Sequence, residues 1–165
     1  MDGKICTFDQ LKSFLARAYW LETKMEQAKD WYAFLEVKSD EAKQLLFQLT
    51  NDSDNHKVVL QKLISNIKDF DLEKTLSELA LQNEPVNYKG KLDGEIFQDI
   101  YESEKKAFQL YTTIKDYTDS NLINSVLVGK RSEEFFETIN WLISEEKKHM
   151  ELVDPFSMGR LERIT

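Results

Sequence analysis

Apolar residues recur at steps of three and four through most of the chain, which predicts long amphipathic helices. The first stripe reads Leu11, Phe14, Leu15, Ala18, Leu21, Met25, Ala28, Tyr32 and Leu35, on a helix expected from about Thr7 to Lys38. Thr7 or Asp9 suits its N-cap. A short turn at Ser39 leads into a second helix, whose first turn carries Asp40 and Glu41 where the helix dipole favours acids. Its stripe runs Leu45, Leu46, Leu49, Ser53, His56, Leu60, Leu63 and Ile67. Asp71 suits the cap of a shorter helix over about Leu72 to Gln82.

The clearest break spans Asn83 to Gly94 and holds Pro85, Gly90 and Gly94. A third long helix is expected over about Glu95 to Tyr117, with Phe97, Ile100, Tyr101, Glu104, Ala107, Phe108, Tyr111 and Ile114 facing inward. A connector follows, with one helical turn near Leu122–Leu127, ended by Gly129. The fourth long helix is expected from Ser132 to Val153, closed by Pro155. A last short helix fits about Phe156 to Ile164. A short turn makes antiparallel neighbours of the first two helices. The expected fold is therefore all-α: an antiparallel four-helix bundle with one long crossover connection, in a single domain over residues 1–165.

Polar residues interrupt these stripes at mid-helix. The fourth stripe runs Phe135, Ile139, Leu142 and then resumes at Met150 and Val153, passing through Glu146 and His149. A carboxylate and an imidazole three residues apart share one helix face. Burying them without partners costs several kcal/mol, on the order of the penalty for any unpaired buried charge. A metal ion is the common solution for this spacing on a bundle helix. Glu104 interrupts the third stripe in the same way, and Ser53 and His56 the second. The two halves also echo each other: Ala28 precedes Tyr32 by four residues, as Ala107 precedes Tyr111, and each hairpin ends in a helix with an inward histidine.

Composition narrows the setting. The 165 residues include five Gly and two Pro, in keeping with helix. A formal net charge of −8 with both signs interleaved, and no basic stripe, excludes nucleic acid as an expected partner. One cysteine, Cys6, excludes an internal disulfide or a Cys-x-x-Cys site. No run of about 18 apolar residues exists, so no membrane association is expected. Nor is there an N-terminal apolar signal core, so a cytoplasmic protein is the default expectation.

With these residues in view, the chain resembles the ferritin-like di-iron superfamily, and within it the rubrerythrin-like branch. The resemblance rests on Glu104-Lys105-Lys106-Ala107 with Tyr111, and on Glu146-Lys147-Lys148-His149. It covers roughly residues 10–153, strongly in the second half and partially in the first. It implies a metal set of Glu104, Glu146, His149 and His56, with Tyr32 and Tyr111 as the aromatic residues around it. The implied cofactor is iron, one or two ions per chain, with Mn or Zn as alternatives. A homodimer is the implied assembly. O₂- or peroxide-linked oxidoreductase chemistry is the implied activity, served by an external electron donor because the chain lacks a Cys₄ domain.

The resemblance departs at two positions. Met25 stands where a first-helix glutamate belongs, and Ser53 where a second-helix bridging glutamate belongs. Glu22, Glu26 and Asp52 are the nearby substitutes. On an unbroken α-helix Glu22 lies nearly one turn from the expected level, and Glu26 is rotated by about 100°. The alternative expectation is a non-enzymatic ferritin-like scaffold acting through oligomerisation or partner binding, its polar layer satisfied by hydrogen bonds or by Lys29.

Overall fold

The computed structural model describes residues 4–81, 86–129 and 131–157, apart from the side chains of Met25 and Ala28. Asn83 and Pro85 of the expected crossover, and most of the expected Phe156–Ile164 helix, lie outside the described residues. The described chain is all-helical.

Helix α1 spans Phe8–Trp20 and α2 spans Gln27–Glu36, joined by a π-helical stretch at Leu21–Glu26. The residues at both joins, Trp20, Leu21, Glu26 and Gln27, keep right-handed helical angles. The three pieces therefore form one rod. Thr7 caps it: its hydroxyl accepts from Gln10 N at 3.3 Å, and the Gln10 side chain accepts from Thr7 N at 3.2 Å. The expected helix is thus present, with an unforeseen widening at its centre.

Helix α3 spans Asp40–Ser65, and the Ser39 hydroxyl accepts from Ala42 N at 3.1 Å. Helix α4 spans Leu72–Leu79, capped by Asp71 and ended by Ala80 in the left-handed conformation, φ 46°. Helix α5 spans Asp93–Tyr117, α6 spans Ser120–Val126 and α7 spans Ser132–Val153. A 3-10 turn at Asp154–Phe156 follows, with Pro155 near its start. Gly129 leaves the connector at φ 68°, a conformation that a side chain disfavours. Two backbone hydrogen bonds fasten that connector to the end of α3, Lys68 N to Val126 O and Val128 N to Asn66 O, both 2.8 Å.

Packing follows the stripes in α1, α3, α5 and α7, whereas Tyr32 and Leu35 of the expected first stripe are exposed, at 49% and 63%. The rod packs on α3, and α5 packs on α7 along much of its length. One apolar cluster gathers Leu11, Leu15, Ala18, Leu60, Ile64, Tyr111, Ile114, Ile139 and Leu142. A second gathers Ala33, Val37, Leu46, Leu49, Ile96, Phe97, Ile100 and Val153. Along each long helix a set of buried polar residues falls between its members of the two clusters. Among the described residues no helix is long and apolar enough to cross a membrane.

Candidate metal centre

Between the two apolar clusters the helices bury acids and imidazoles. The rod contributes Glu22, Glu26 and Asp30, each 1% exposed. Ser53 and His56 come from α3, Glu104 from α5, and Glu146 and His149 from α7, all at 1% or less.

The rod owes its inward acids to the π-turn. An α-helix turns about 100° per residue, so each four-residue step overshoots by about 40°. The wider π-turn lags instead and cancels the drift. Ala18, Glu22, Glu26 and Asp30, each four residues from the last, therefore stay on one buried face. This corrects the phase expected from an unbroken α-helix: Glu22 reaches the level of His56, and Glu26 faces inward. Tyr32 falls on the other side of the rod, 49% exposed, while Ala33 takes the buried position beside it. Tyr32 is therefore not part of the cluster. The side chain of Met25, expected at the glutamate position, lies outside the described residues.

His56 Nδ1 lies 2.9 Å from Glu146 Oε1 and 3.4 Å from Glu22 Oε1. Neither contact has hydrogen-bond alignment, so both ring nitrogens of His56 lack a hydrogen-bond partner. His149 Nδ1 lies 3.1 Å from Glu104 Oε2 and 3.8 Å from Glu146 Oε2. On its far side His149 Nε2 meets Asp52 Oδ2 at 3.3 Å. Asp52 thus backs an imidazole from outside the cluster rather than standing in for Ser53 inside it. Such an acceptor fixes the ring's orientation and turns the other nitrogen toward a metal. The two imidazoles stack at 5.3 Å, and Trp141 meets His56 in a T-shaped contact at 5.5 Å. Tyr111, fully buried, donates to Glu22 Oε1 at 2.6 Å.

Two trios have ligand atoms all within 4.8 Å of one another: His56, Glu146 and His149, and Glu22, Glu26 and Glu146. Glu146 belongs to both, the position of a carboxylate able to bridge two cations. Glu22 Oε2, Glu26 Oε1, Glu104 Oε1 and both Glu146 oxygens are buried without a hydrogen-bond partner. Each such group costs roughly 1–3 kcal/mol, and more if charged. Divalent cations would satisfy them together, and oxygen and imidazole donors suit Fe(II), Mn(II) or Zn(II). The donor set therefore fits a metal.

Electrostatics agree with the geometry. Burial, reinforced by neighbouring carboxylates, pushes Glu26 and Glu146 well above the usual carboxylate range. Asp30 is raised well above its range in the same way, by burial and then by Glu104 and Glu22. Burial also works on Glu22, but the adjoining His56, Glu26 and Tyr111 outweigh it and hold Glu22 below its ordinary value. For His149 burial is outweighed by Glu104 and Asp52, which raise the imidazole. The metal-free cluster thus holds acidic protons that cations would displace.

Of the residues singled out from sequence, Glu104, Glu146, His149, His56 and Tyr111 come together, and Tyr32 does not. Sequence reasoning missed Asp30 altogether and placed Glu22 and Glu26 out of phase. The even four-residue spacing from Ala18 to Asp30 was the available signal. Fold and site together describe an all-helical protein with a buried carboxylate–histidine cluster. No protein-family model, curated protein or solved structure matches the chain.

Proposed function

We propose that the chain is a ferritin-like metalloprotein of the rubrerythrin kind. In this reading the rod, α3, α5 and α7 form an antiparallel four-helix bundle. They hold iron, or Mn or Zn in its place, at Glu22, His56, Glu104, Glu146 and His149. The observation that carries the reading is the convergence of both histidines of the chain with buried carboxylates from three helices, several of whose oxygens lack a hydrogen-bond partner. The bundle is supported by the order in which each helix meets the two apolar clusters. The rod and α7 run from the first to the second, and α3 and α5 run the other way.

Bound as a pair, the metals would supply two-electron reduction of O₂ or peroxide, with electrons from an external donor. The chain's own residues do the rest. Asp52 holds His149 by Nε2 so that Nδ1 faces Glu104 and Glu146. Tyr111 holds Glu22 by one oxygen and leaves Oε2 for a ligand. Apolar side chains on both sides, Leu60 and Ile100 among them, keep bulk water from the cluster.

The test is metal content by mass spectrometry after anaerobic reconstitution with Fe(II), followed by peroxide consumption with a chemical reductant. Two irons per wild-type chain, and a loss of at least one in Glu146→Ala, are expected. A folded wild-type chain that takes up no iron would end this reading and favour the scaffold alternative.

A further inference from the structure

Two halves of the cluster can be compared ligand by ligand. In one half Glu104 comes from α5, and Glu146 and His149 come from α7 at a spacing of three. In the other, α3 offers His56, but three residues before it stands Ser53, which has no carboxylate. The rod compensates: it brings two inward acids, Glu22 and Glu26, where α5 brings one. Each half then has two carboxylates and one imidazole.

The Ser53–Glu26 contact ties this exchange to a place. Ser53 is fully buried and its hydroxyl donates to Glu26 Oε2 at 3.0 Å. Glu26 therefore reaches across from the rod to the α3 position that lacks an acid. Its other oxygen, Oε1, is buried with no hydrogen-bond partner, and Glu26 belongs to a trio with Glu22 and Glu146. A serine donor on one oxygen orients the carboxylate and leaves the second as the ligand atom. The π-turn at Leu21–Glu26 is what brings Glu26 into phase with Glu22. Without that turn Glu26 would face away from Ser53.

We propose that Glu26 is a metal ligand, moved from α3 to the rod by the π-turn and held in place by Ser53. This rests on the metal-centre reading above and adds a residue that no Glu-x-x-His pattern points to. It also gives Ser53 a positioning role.

A ligand-swap series tests it, read by Fe(II) stoichiometry under anaerobic conditions, with helicity by circular dichroism as the fold control. Wild type is expected to bind two irons per chain, and E26S and the near-isosteric E26Q one. The double variant S53E/E26S, which returns a carboxylate to α3, is expected to bind two again. S53A is expected to keep both ligand sets but bind the second iron several-fold more weakly. Two irons retained by E26Q would overturn the Glu26 assignment and leave the metal centre standing. So would a folded S53E/E26S that stays at the E26S value. If the double variant fails to fold, E26Q decides. One iron in wild type also overturns the assignment, whereas none overturns the metal centre itself.

Discussion

At the residue scale the cluster is costly in the metal-free protein, and its pH dependence has a definite sign. Glu26, Glu146 and Asp30 keep their protons to higher pH in the folded chain than in the unfolded one. Above their ordinary values of about 4 the folded state binds more protons, so stability falls as pH rises through the raised values. His149 adds in the same direction: its contribution is full below about 6.5 and is lost as pH climbs through its raised value. Glu22 opposes them, contributing above its ordinary value and losing that only in acid. Three raised acids and an imidazole outweigh one lowered acid. The chelator-treated protein should therefore melt at lower temperature near pH 8 than near about pH 5.5, as measured by calorimetry. A melting temperature that is flat or rises over that interval would show that these groups ionise in the fold as freely as in the unfolded chain.

At the element scale, the helices were legible because stripes and caps agree. Thr7, Ser39 and Asp71 all act as N-caps, and α7 begins and ends where its stripe does. The Glu104, Glu146 and His149 set was legible for the same reason, since both α5 and α7 are regular α-helices and keep phase. The rod was not. Leu21–Glu26 contains no glycine or proline to mark a break, so nothing local announces the π-turn. Its consequences are the inward Glu22, Glu26 and Asp30 and the outward Tyr32. Such a turn is rare and is frequently found at functional sites. Amide hydrogen exchange should be faster at Leu21–Glu26 than in α1 or α2 in the chelated protein, and should slow when Zn(II) is added. Equal protection across the rod without metal, or no change on adding it, would show that the turn and the cluster are energetically separate.

At the scale of the whole molecule, the polar layer divides the core. Leu15, Leu60, Ile114 and Ile139 lie on one side, and Val37, Leu46, Phe97 and Val153 on the other. Each long helix crosses the layer once, so like charges there strain the helix contacts together rather than one loop at a time. A ligand that binds only the folded chain stabilises it by RT ln(1 + [L]/Kd), about 2.7 kcal/mol at a hundredfold excess over Kd. For a chain of this length each kcal/mol moves the midpoint by roughly 2–4 °C. Saturating Fe(II), Mn(II) or Zn(II) should then raise the melting temperature by about 5–11 °C, and by more as affinity increases. The increment should grow with pH, because cations displace the protons that Glu26, Glu146 and His149 otherwise hold. A control with Mg(II), which prefers oxygen ligands and keeps its waters, separates this from general screening of an acidic surface. If Mg(II) stabilises the chain as well as Zn(II) does, the effect belongs to the surface charge. If Zn(II) alone does so, and Glu146→Ala abolishes the increment, the helices are joined through the buried cluster.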